Sequence, residues 1–295
     1  MQGDMPNRFT RSFRLAKASW DVLRADRELL LLPVLSVLAI VFGLVIWLTL
    51  LRAAGVSIPH SHHHRDMLQT AQQDPVLFAW LFTAYVLLTF VAFFFNTALV
   101  GAALDKLQGG NPTVGSALAL AGRRAGAIFG YAFVSATLGV LMAMIVERVG
   151  GILGRLLGLG FGFTWTIATF LVVPILAAQG VGPVTAIRES ATLLRKTWGE
   201  NLIGSAGISF AMSVITGAIV ILGFLSAFGV SYLRHPELNG PIFVAAAFLF
   251  LLSVFVGMAL KGIYVAAVYY YAVAGEPPWG FAKETLQGAF MRKGS

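Results

Sequence analysis

The chain has 295 residues, of which 58% are hydrophobic and only 12% carry a charge. About 25% of the residues of a soluble globular domain are charged, so this composition indicates a chain that lies mostly in lipid. The formal net charge is +8, but the basic residues flank apolar segments, which favours an anionic lipid surface over nucleic acid as the partner.

Six apolar runs are long enough to cross a bilayer, which requires roughly 20 residues in a helix. They cover Leu29–Leu51, Pro75–Leu104, Ala125–Val146, a stretch within Leu156–Ile187 best placed at Phe161–Gln179, a stretch within Asn201–Tyr232, and Gly240–Ala274. Pro174 predicts a kink in the fourth run, because proline lacks a backbone donor and clashes one turn back.

These runs predict an all-α integral membrane bundle of about six transmembrane helices, in a single polytopic domain over residues 1–295. An N-terminal amphipathic segment (1–28) precedes the bundle (29–274), and a C-terminal amphipathic tail (275–295) follows it. Most of the 21 lysines and arginines fall on one side of the six spans. Because cytoplasmic loops carry the excess of these residues, both termini are predicted to be cytoplasmic.

An internal repeat is indicated at the cytoplasmic exits. After each even-numbered span the chain carries glycine, two residues and proline, at Gly109–Pro112, Gly180–Pro183 and Gly275–Pro278. Glycine suits a helix end and proline the first turn of the next helix, so the pattern predicts three hairpin repeats, each introduced by an amphipathic interfacial helix. The alternative is that any multi-pass protein carries basic amphipathic segments beside its spans.

The amphipathic segments combine an apolar stripe with basic side chains. Apolar residues recur at helical spacing at Phe9, Phe13, Trp20 and Leu23, and again at Val184, Ile187, Ala191, Leu194 and Trp198. Such helices are expected to lie flat on the membrane. Their predicted contacts with anionic lipid or an anionic solute are Arg14, Lys17, Arg123, Arg124, Arg188, Arg195, Lys196 and Lys283.

Both ends of the chain resemble one known family. The opening RFTRSFRLAKASWDVLRADRELLLLPVLS and the close YYYAVAGEPPWGFAKETLQGAF are similar to those of an uncharacterised family of bacterial multi-pass membrane proteins, a domain of unknown function. The arrangement is also loosely similar to the membrane domain of some glycerophosphodiester phosphodiesterases, without their catalytic partner. The resemblance implies six helices in the bacterial inner membrane and no assigned activity.

Three further groups of residues are candidates for function or packing. Histidine is a common metal ligand, and a loop on the outer side contains His60, His62, His63 and His64, although without the fixed spacing of a zinc motif. Glycines at every fourth position allow close helix packing or an oligomer contact, at Gly122, Gly126 and Gly130 and at Gly150, Gly154, Gly158 and Gly162. Asn96 and Lys261 are polar residues within apolar runs, where a cross-helix hydrogen bond or a snorkelling lysine is the simpler explanation.

No catalytic motif or cofactor site is recognisable, so the sequence predicts a non-enzymatic protein. The preferred hypothesis is that its basic interfacial helices engage anionic lipid or a partner protein. The main alternative is a channel or permease for a small, possibly anionic, solute, because helix N-termini after each Gly-x-x-Pro would supply partial positive charge. Metal sensing through the histidine loop is a third hypothesis.

Overall fold

The computed structural model describes residues 8–56, 74–197, 216–218, 220–222, 226 and 239–281. Within these residues the chain forms nine long or medium α-helices and a short 3-10 turn at Arg27–Leu30. The helices are α1 (Arg8–Ala25), α2 (Leu31–Ala53), α3 (Pro75–Leu107), α4 (Val114–Arg123), α5 (Ala125–Val149), α6 (Gly151–Ala168), α7 (Val172–Gln179), α8 (Pro183–Thr197) and α9 (Asn239–Ala274).

Five helical stretches in the described part of the chain are long and apolar enough to cross a membrane: Arg27–Ala53, Pro75–Leu107, Ala125–Val149, Gly151–Gln179 and Gly240–Ala274. The remaining span, within Asn201–Tyr232, lies almost entirely outside the described residues, so the number six stays a prediction. Phe42, Ile152 and Phe243 are 68%, 76% and 73% exposed. Such side chains along helices of this length identify a membrane protein, because lipid can cover them.

The fourth span begins earlier than the sequence predicts. An outer loop was expected before Leu156, but α6 starts at Gly151, two residues after the end of α5. Gly150 and Gly151 have φ angles of +63° and +57°, in a region that side chains disfavour. Two consecutive glycines therefore reverse the chain between α5 and α6 without a loop.

The chain divides into two compact units. The first comprises Met1–Pro33, Leu99–Ala117 and Thr192–Ser295. In its described part, α1 and the turn after it pack against α9. A methyl group at Gly262 of α9 would lie 2.6 Å from Leu99, so α9 and the end of α3 are also in close contact.

The second unit comprises Val34–Ala98 and Leu118–Ala191. Aromatic pairs join α3 to α5: Phe93 lies 4.6 Å from Tyr131 and Phe90 lies 5.7 Å from Phe129, between ring centroids. Towards the other end of α3, the Trp47 and Trp80 rings are 4.9 Å apart and join it to α2. Aromatic pairs prefer such tilted arrangements. The pairs hold neighbouring helices together by contacts that depend on ring orientation, which lipid tails do not offer.

The glycine turn between α5 and α6 generates a stability prediction. A Cβ at Gly154 would lie 2.5 Å from the Val146 carbonyl oxygen, so Gly154→Ala must push the two helices apart. Overpacking of this kind costs about 1–3 kcal/mol, which we expect as a lower free energy of unfolding in detergent.

Gly162→Ala, on the same helix, is the matched control. No atom of the described chain lies within 4 Å of a Cβ at Gly162, so this substitution should instead stabilise the helix by roughly 0.5–1 kcal/mol. Equal effects of the two substitutions would contradict the close approach of α5 and α6.

Candidate functional site: basic helices and a break in the fourth span

Helix α1 buries only part of the apolar stripe identified in the sequence. Its described buried residues are Leu15, Ser19, Val22 and Leu23, and Asp26, just after the helix, is buried as well. Trp20 belongs to the stripe identified in the sequence, yet it is 45% exposed. At 100° per residue, Trp20 points about a third of a turn away from the centre of the buried face. Among its described residues, the helix therefore has one buried face and an exposed side that carries Trp20.

Helix α8 shows the same division. Ala186, Ser190 and Leu194, spaced four residues apart, are buried. Val184 is 63% exposed, and Ala191 on the same side is exposed as well. The sequence placed Val184, Ala191 and Leu194 together on one stripe, but only Leu194 of these is buried.

The turn after α1 is fixed to the first Gly-x-x-Pro exit by charged groups. The Asp26 carboxylate lies 3.5 Å from the Lys106 ammonium, and both side chains are mostly buried. Lys106 also donates to Asn111 Oδ1 at 3.4 Å. The Val114 amide donates to Glu28 Oε2 at 3.1 Å, so this carboxylate caps the N-terminus of α4, where the helix dipole favours negative charge.

The third Gly-x-x-Pro exit meets the same region of the first unit. The Trp279 amide donates to the Leu107 carbonyl at 3.4 Å. Phe281 is buried, and a methyl group at Gly280 would lie 3.2 Å from Val22 of α1. The N-terminal helix and two exits are thus held in one cluster.

The first glycine of each Gly-x-x-Pro exit has the same backbone conformation. The φ angles are +88° at Gly109, +65° at Gly180 and +74° at Gly275. Each glycine ends its helix in the left-handed region that favours glycine. The next helix starts at Pro183 itself in the second exit, and two residues after Pro112 in the first.

The second exit packs against the start of α5. A methyl group at Gly180 would overlap the Arg124 guanidinium, so Arg124 lies across the C-terminal end of α7, where a cation complements the helix dipole. A methyl group at Gly130 would lie 3.0 Å from Pro183. Two of the predicted site residues, Arg124 and Gly130, are therefore brought together by this exit.

The fourth span is broken between α6 and α7. The Phe170 and Val172 amides donate to carbonyls three residues back, and the Leu171 amide donates to the Ser190 hydroxyl at 3.1 Å. Pro174 has no amide hydrogen to pair with the carbonyl of Phe170, one turn earlier, which explains where the helix stops. The interruption predicted from Pro174 is confirmed, but the role of Ser190 was missed.

Hydroxyl groups surround the break. Thr164, Thr166 and Thr169 each donate to the carbonyl four residues back, at 2.9, 2.7 and 2.7 Å. Threonines bonded in this way tend to bend a helix. The side chain of Thr169 also forms a hydrogen bond with Tyr131 of α5. The break is therefore supported by polar groups from α5 and α8, as non-helical backbone in a membrane requires.

The other predicted residues are not brought together. Asn96 and Lys261 are exposed. Lys17, Arg123, Arg188 and Arg195 are exposed on their helices. The positions outside the described residues or side chains are Arg14, His60, His62, His63, His64, Lys196 and Lys283.

The two glycine series are interrupted by helix ends. Gly122 belongs to α4 and Gly126 to α5, and Gly150 lies in the turn before α6. Close approach occurs at Gly130, Gly154 and Gly158, the last with Val146 at 3.1 Å from an added Cβ. Gly122, Gly126 and Gly162 would face open space within the described chain.

Sequence reasoning missed Asp26, Glu28 and Ser190. Asp26 and Glu28 are acidic residues in a mostly basic flank just before the first span. Their position could have indicated an ion pair with a lysine or a cap at a helix N-terminus. Ser190 lies four residues from both Ala186 and Leu194, a spacing that could have indicated a buried face.

The long apolar helices and the broken fourth span define a polytopic α-helical membrane protein. A family model described as "Family of unknown function (DUF6159)" matches residues 75–279. The chain belongs to this family. No match was found among curated proteins.

The conformation of the second exit can be tested by substitution. Gly180→Ala places a side chain at φ +65° and displaces Arg124, so we expect a loss of about 1–2 kcal/mol from the backbone alone in the free energy of unfolding. Gly182→Ala is the control, because no described atom would contact its Cβ and no unusual φ is involved. The account of this exit fails if both variants unfold at the same denaturant concentration.

The tie between Asp26 and Lys106 can be measured against an exposed acid on the preceding helix, α1. An exposed ion pair contributes less than about 1 kcal/mol, whereas breaking a buried one costs about 3–5 kcal/mol. Asp26 is 7% exposed and Lys106 16%, so we expect an intermediate loss of about 1–3 kcal/mol for Asp26→Asn.

Asp21→Asn is the matched variant, since Asp21 is exposed on α1, and it should change stability by less than about 0.5 kcal/mol. In a double-mutant cycle, Lys106→Met should add little once Asp26 is replaced. Additive losses would show that the two side chains act independently.

Proposed function

We propose that this protein is a non-enzymatic protein of the bacterial inner membrane, with both termini cytoplasmic, whose helices α1 and α8 lie at the membrane surface and bind anionic lipid. The observation that carries the proposal is the division of each helix into a buried face and a separate exposed apolar face. An amphipathic helix that is fully used in protein packing has no apolar face left for a bilayer, whereas these two helices have one.

The order of faces is the same on both helices. Going round α1 in the direction of increasing angle, the buried residues are followed by Trp20 and then by Lys17 and Arg24. Going round α8 in the same direction, the buried residues are followed by Val184 and Ala191 and then by Arg188 and Arg195. On an interfacial helix the apolar face enters the bilayer and the basic residues beside it reach the headgroups.

The charges suit an anionic surface. Each lysine or arginine close to an anionic leaflet contributes about 1 kcal/mol of attraction. Trp20 adds a side chain whose amphipathic ring prefers the headgroup level. Two helices with two such cations each would give an attraction that depends on salt and on the fraction of anionic lipid.

The shared order of faces also supports the three-repeat architecture, as does the left-handed glycine at each Gly-x-x-Pro exit. In this architecture α1 introduces the first hairpin (α2–α3), α4 the second (α5 with α6–α7), and α8 the third, which ends with α9. Helix α4 is the shortest of the three introducing helices, with buried Ala117 and Ala121 and an exposed Arg123.

A second candidate function, a channel or permease for a small solute, is favoured by the broken fourth span. Broken helices place backbone dipoles at membrane depth in many transporters. The break at Thr169–Leu171 is lined by hydroxyl groups of Tyr131, Thr169 and Ser190. Flux of a small anion through proteoliposomes separates this function from lipid binding, because a lipid-binding protein leaves the vesicles tight.

The lipid-binding function can be tested by fluorescence, because the chain has no cysteine of its own. Trp20→Cys, labelled with an environment-sensitive fluorophore, should show a blue-shifted emission when zwitterionic nanodiscs are replaced by nanodiscs with anionic lipid. Asp21→Cys labelled in the same way should respond less, because Asp21 is exposed about 100° round α1 from Trp20, beyond the basic edge formed by Lys17 and Arg24. High salt should reverse the shift at position 20.

Arg188→Glu with Arg195→Glu should weaken the corresponding response of a label at Ala191. A response at neither helix in anionic nanodiscs would rule out the proposal.

A further inference from the structure

The broken fourth span depends on a group from outside it. In a continuous helix the Leu171 amide would donate to the Ile167 carbonyl, four residues back. It donates instead to the hydroxyl of Ser190, whose side chain is fully buried. An unpaired amide in a membrane costs several kcal/mol, so the Ser190 hydroxyl replaces the missing acceptor of the span.

Ser190 belongs to α8, which also holds the other end of α7. The Gln179 side-chain amide, in the last turn of α7, donates to Glu189 Oε1 at 2.9 Å. Helix α7 is eight residues long, about 12 Å, so neighbouring residues of α8 are tied to both of its ends. The two helices are joined by the exit that begins at Gly180.

One arrangement of the break is observed, and helix geometry allows a second to be written. In the observed one, the Leu171 amide is bonded to Ser190. If α8 withdraws, the Phe170 amide can move from the Ile167 to the Thr166 carbonyl and the Leu171 amide can bond to Ile167. This would extend α6 through Phe170, while Pro174 still prevents a continuous helix. A change in the position of α8 would therefore change the backbone of the fourth span.

We propose that Thr169–Leu171 is a hinge latched by Ser190, and that anionic lipid bound to the exposed face of α8 holds the latch closed. This inference rests on the proposed function, because α8 carries Val184, Arg188 and Arg195 on the faces assigned to the bilayer and Ser190 on the buried face. Headgroup contacts would keep α8 in the position that brings the Ser190 hydroxyl to the Leu171 amide.

Amide hydrogen exchange of the full-length protein in nanodiscs tests the latch. The wild-type Leu171 amide should exchange more slowly in nanodiscs with phosphatidylglycerol than in pure phosphatidylcholine. Ser190→Ala should speed its exchange by about tenfold, the equivalent of one hydrogen bond, and remove the effect of lipid. Thr185→Ala is the control, because Thr185 lies on an exposed face of α8, and it should behave like the wild type.

Ser190→Cys keeps the size of the side chain with a weaker acceptor, and it should fall between wild type and Ser190→Ala. If the Leu171 amide of Ser190→Ala exchanges at the same rate as in the wild type, the latch is overturned. Equal exchange of wild-type Leu171 in both lipids, with a label at Ala191 that does respond to phosphatidylglycerol, would overturn the coupling and leave the proposed function standing. If the fluorescent label at Ala191 does not respond to phosphatidylglycerol, the proposed function of α8 and the coupling both fail.

Discussion

The structure depends on one requirement: every backbone amide and carbonyl group within the bilayer needs a hydrogen-bond partner from the chain itself. Long helices satisfy it along most of the five described spans. Where a helix has to stop, a specific residue supplies the partner or the conformation. Ser190 accepts from the Leu171 amide at the break, and Glu28 accepts from the first amide of α4. Glycines with positive φ end the helices at Gly109, Gly180 and Gly275.

The same requirement explains why much of the fold could be predicted from the sequence. Apolar runs of sufficient length locate spans because lipid selects composition over a long window, and five of the six predicted spans coincide with described helices. Pro174 predicted the interruption of the fourth span from covalent structure alone. The Gly-x-x-Pro exits were recognisable because the conformational preferences of glycine and proline are local.

The remaining features depend on tertiary contacts, which composition does not encode. The sequence predicted one apolar stripe on α1, containing Trp20 and turned to the membrane, and it did not predict the face with Leu15, Ser19 and Val22 that is buried in the protein. Both stripes are apolar, and only the position of α9 decides which of them is covered. The missing loop before α6 has a similar origin, because Gly150 was assigned to a packing series and the turn conformation of Gly150 and Gly151 was overlooked.

The two-faced helices connect this architecture to function. In the proposed function, a helix with one buried face, one apolar exposed face and one basic edge is fixed to the protein and also meets the bilayer. For α1 the protein side is secured by Asp26 with Lys106 and by the Glu28 cap, and for α8 by Ser190 and Glu189. If these helices bind headgroups as proposed, a force on either helix acts on the ends of transmembrane spans.

The most direct test of this account is the sidedness of the two basic helices. Single-cysteine variants Lys17→Cys, Arg195→Cys and Arg148→Cys can be treated with a membrane-impermeant maleimide in oriented vesicles, without interference from native thiols. The account predicts that Lys17→Cys and Arg195→Cys react from the cytoplasmic side, and that Arg148→Cys, next to the α5–α6 turn, reacts from the opposite side. Reaction of Lys17→Cys and Arg195→Cys from different sides of the membrane would contradict it.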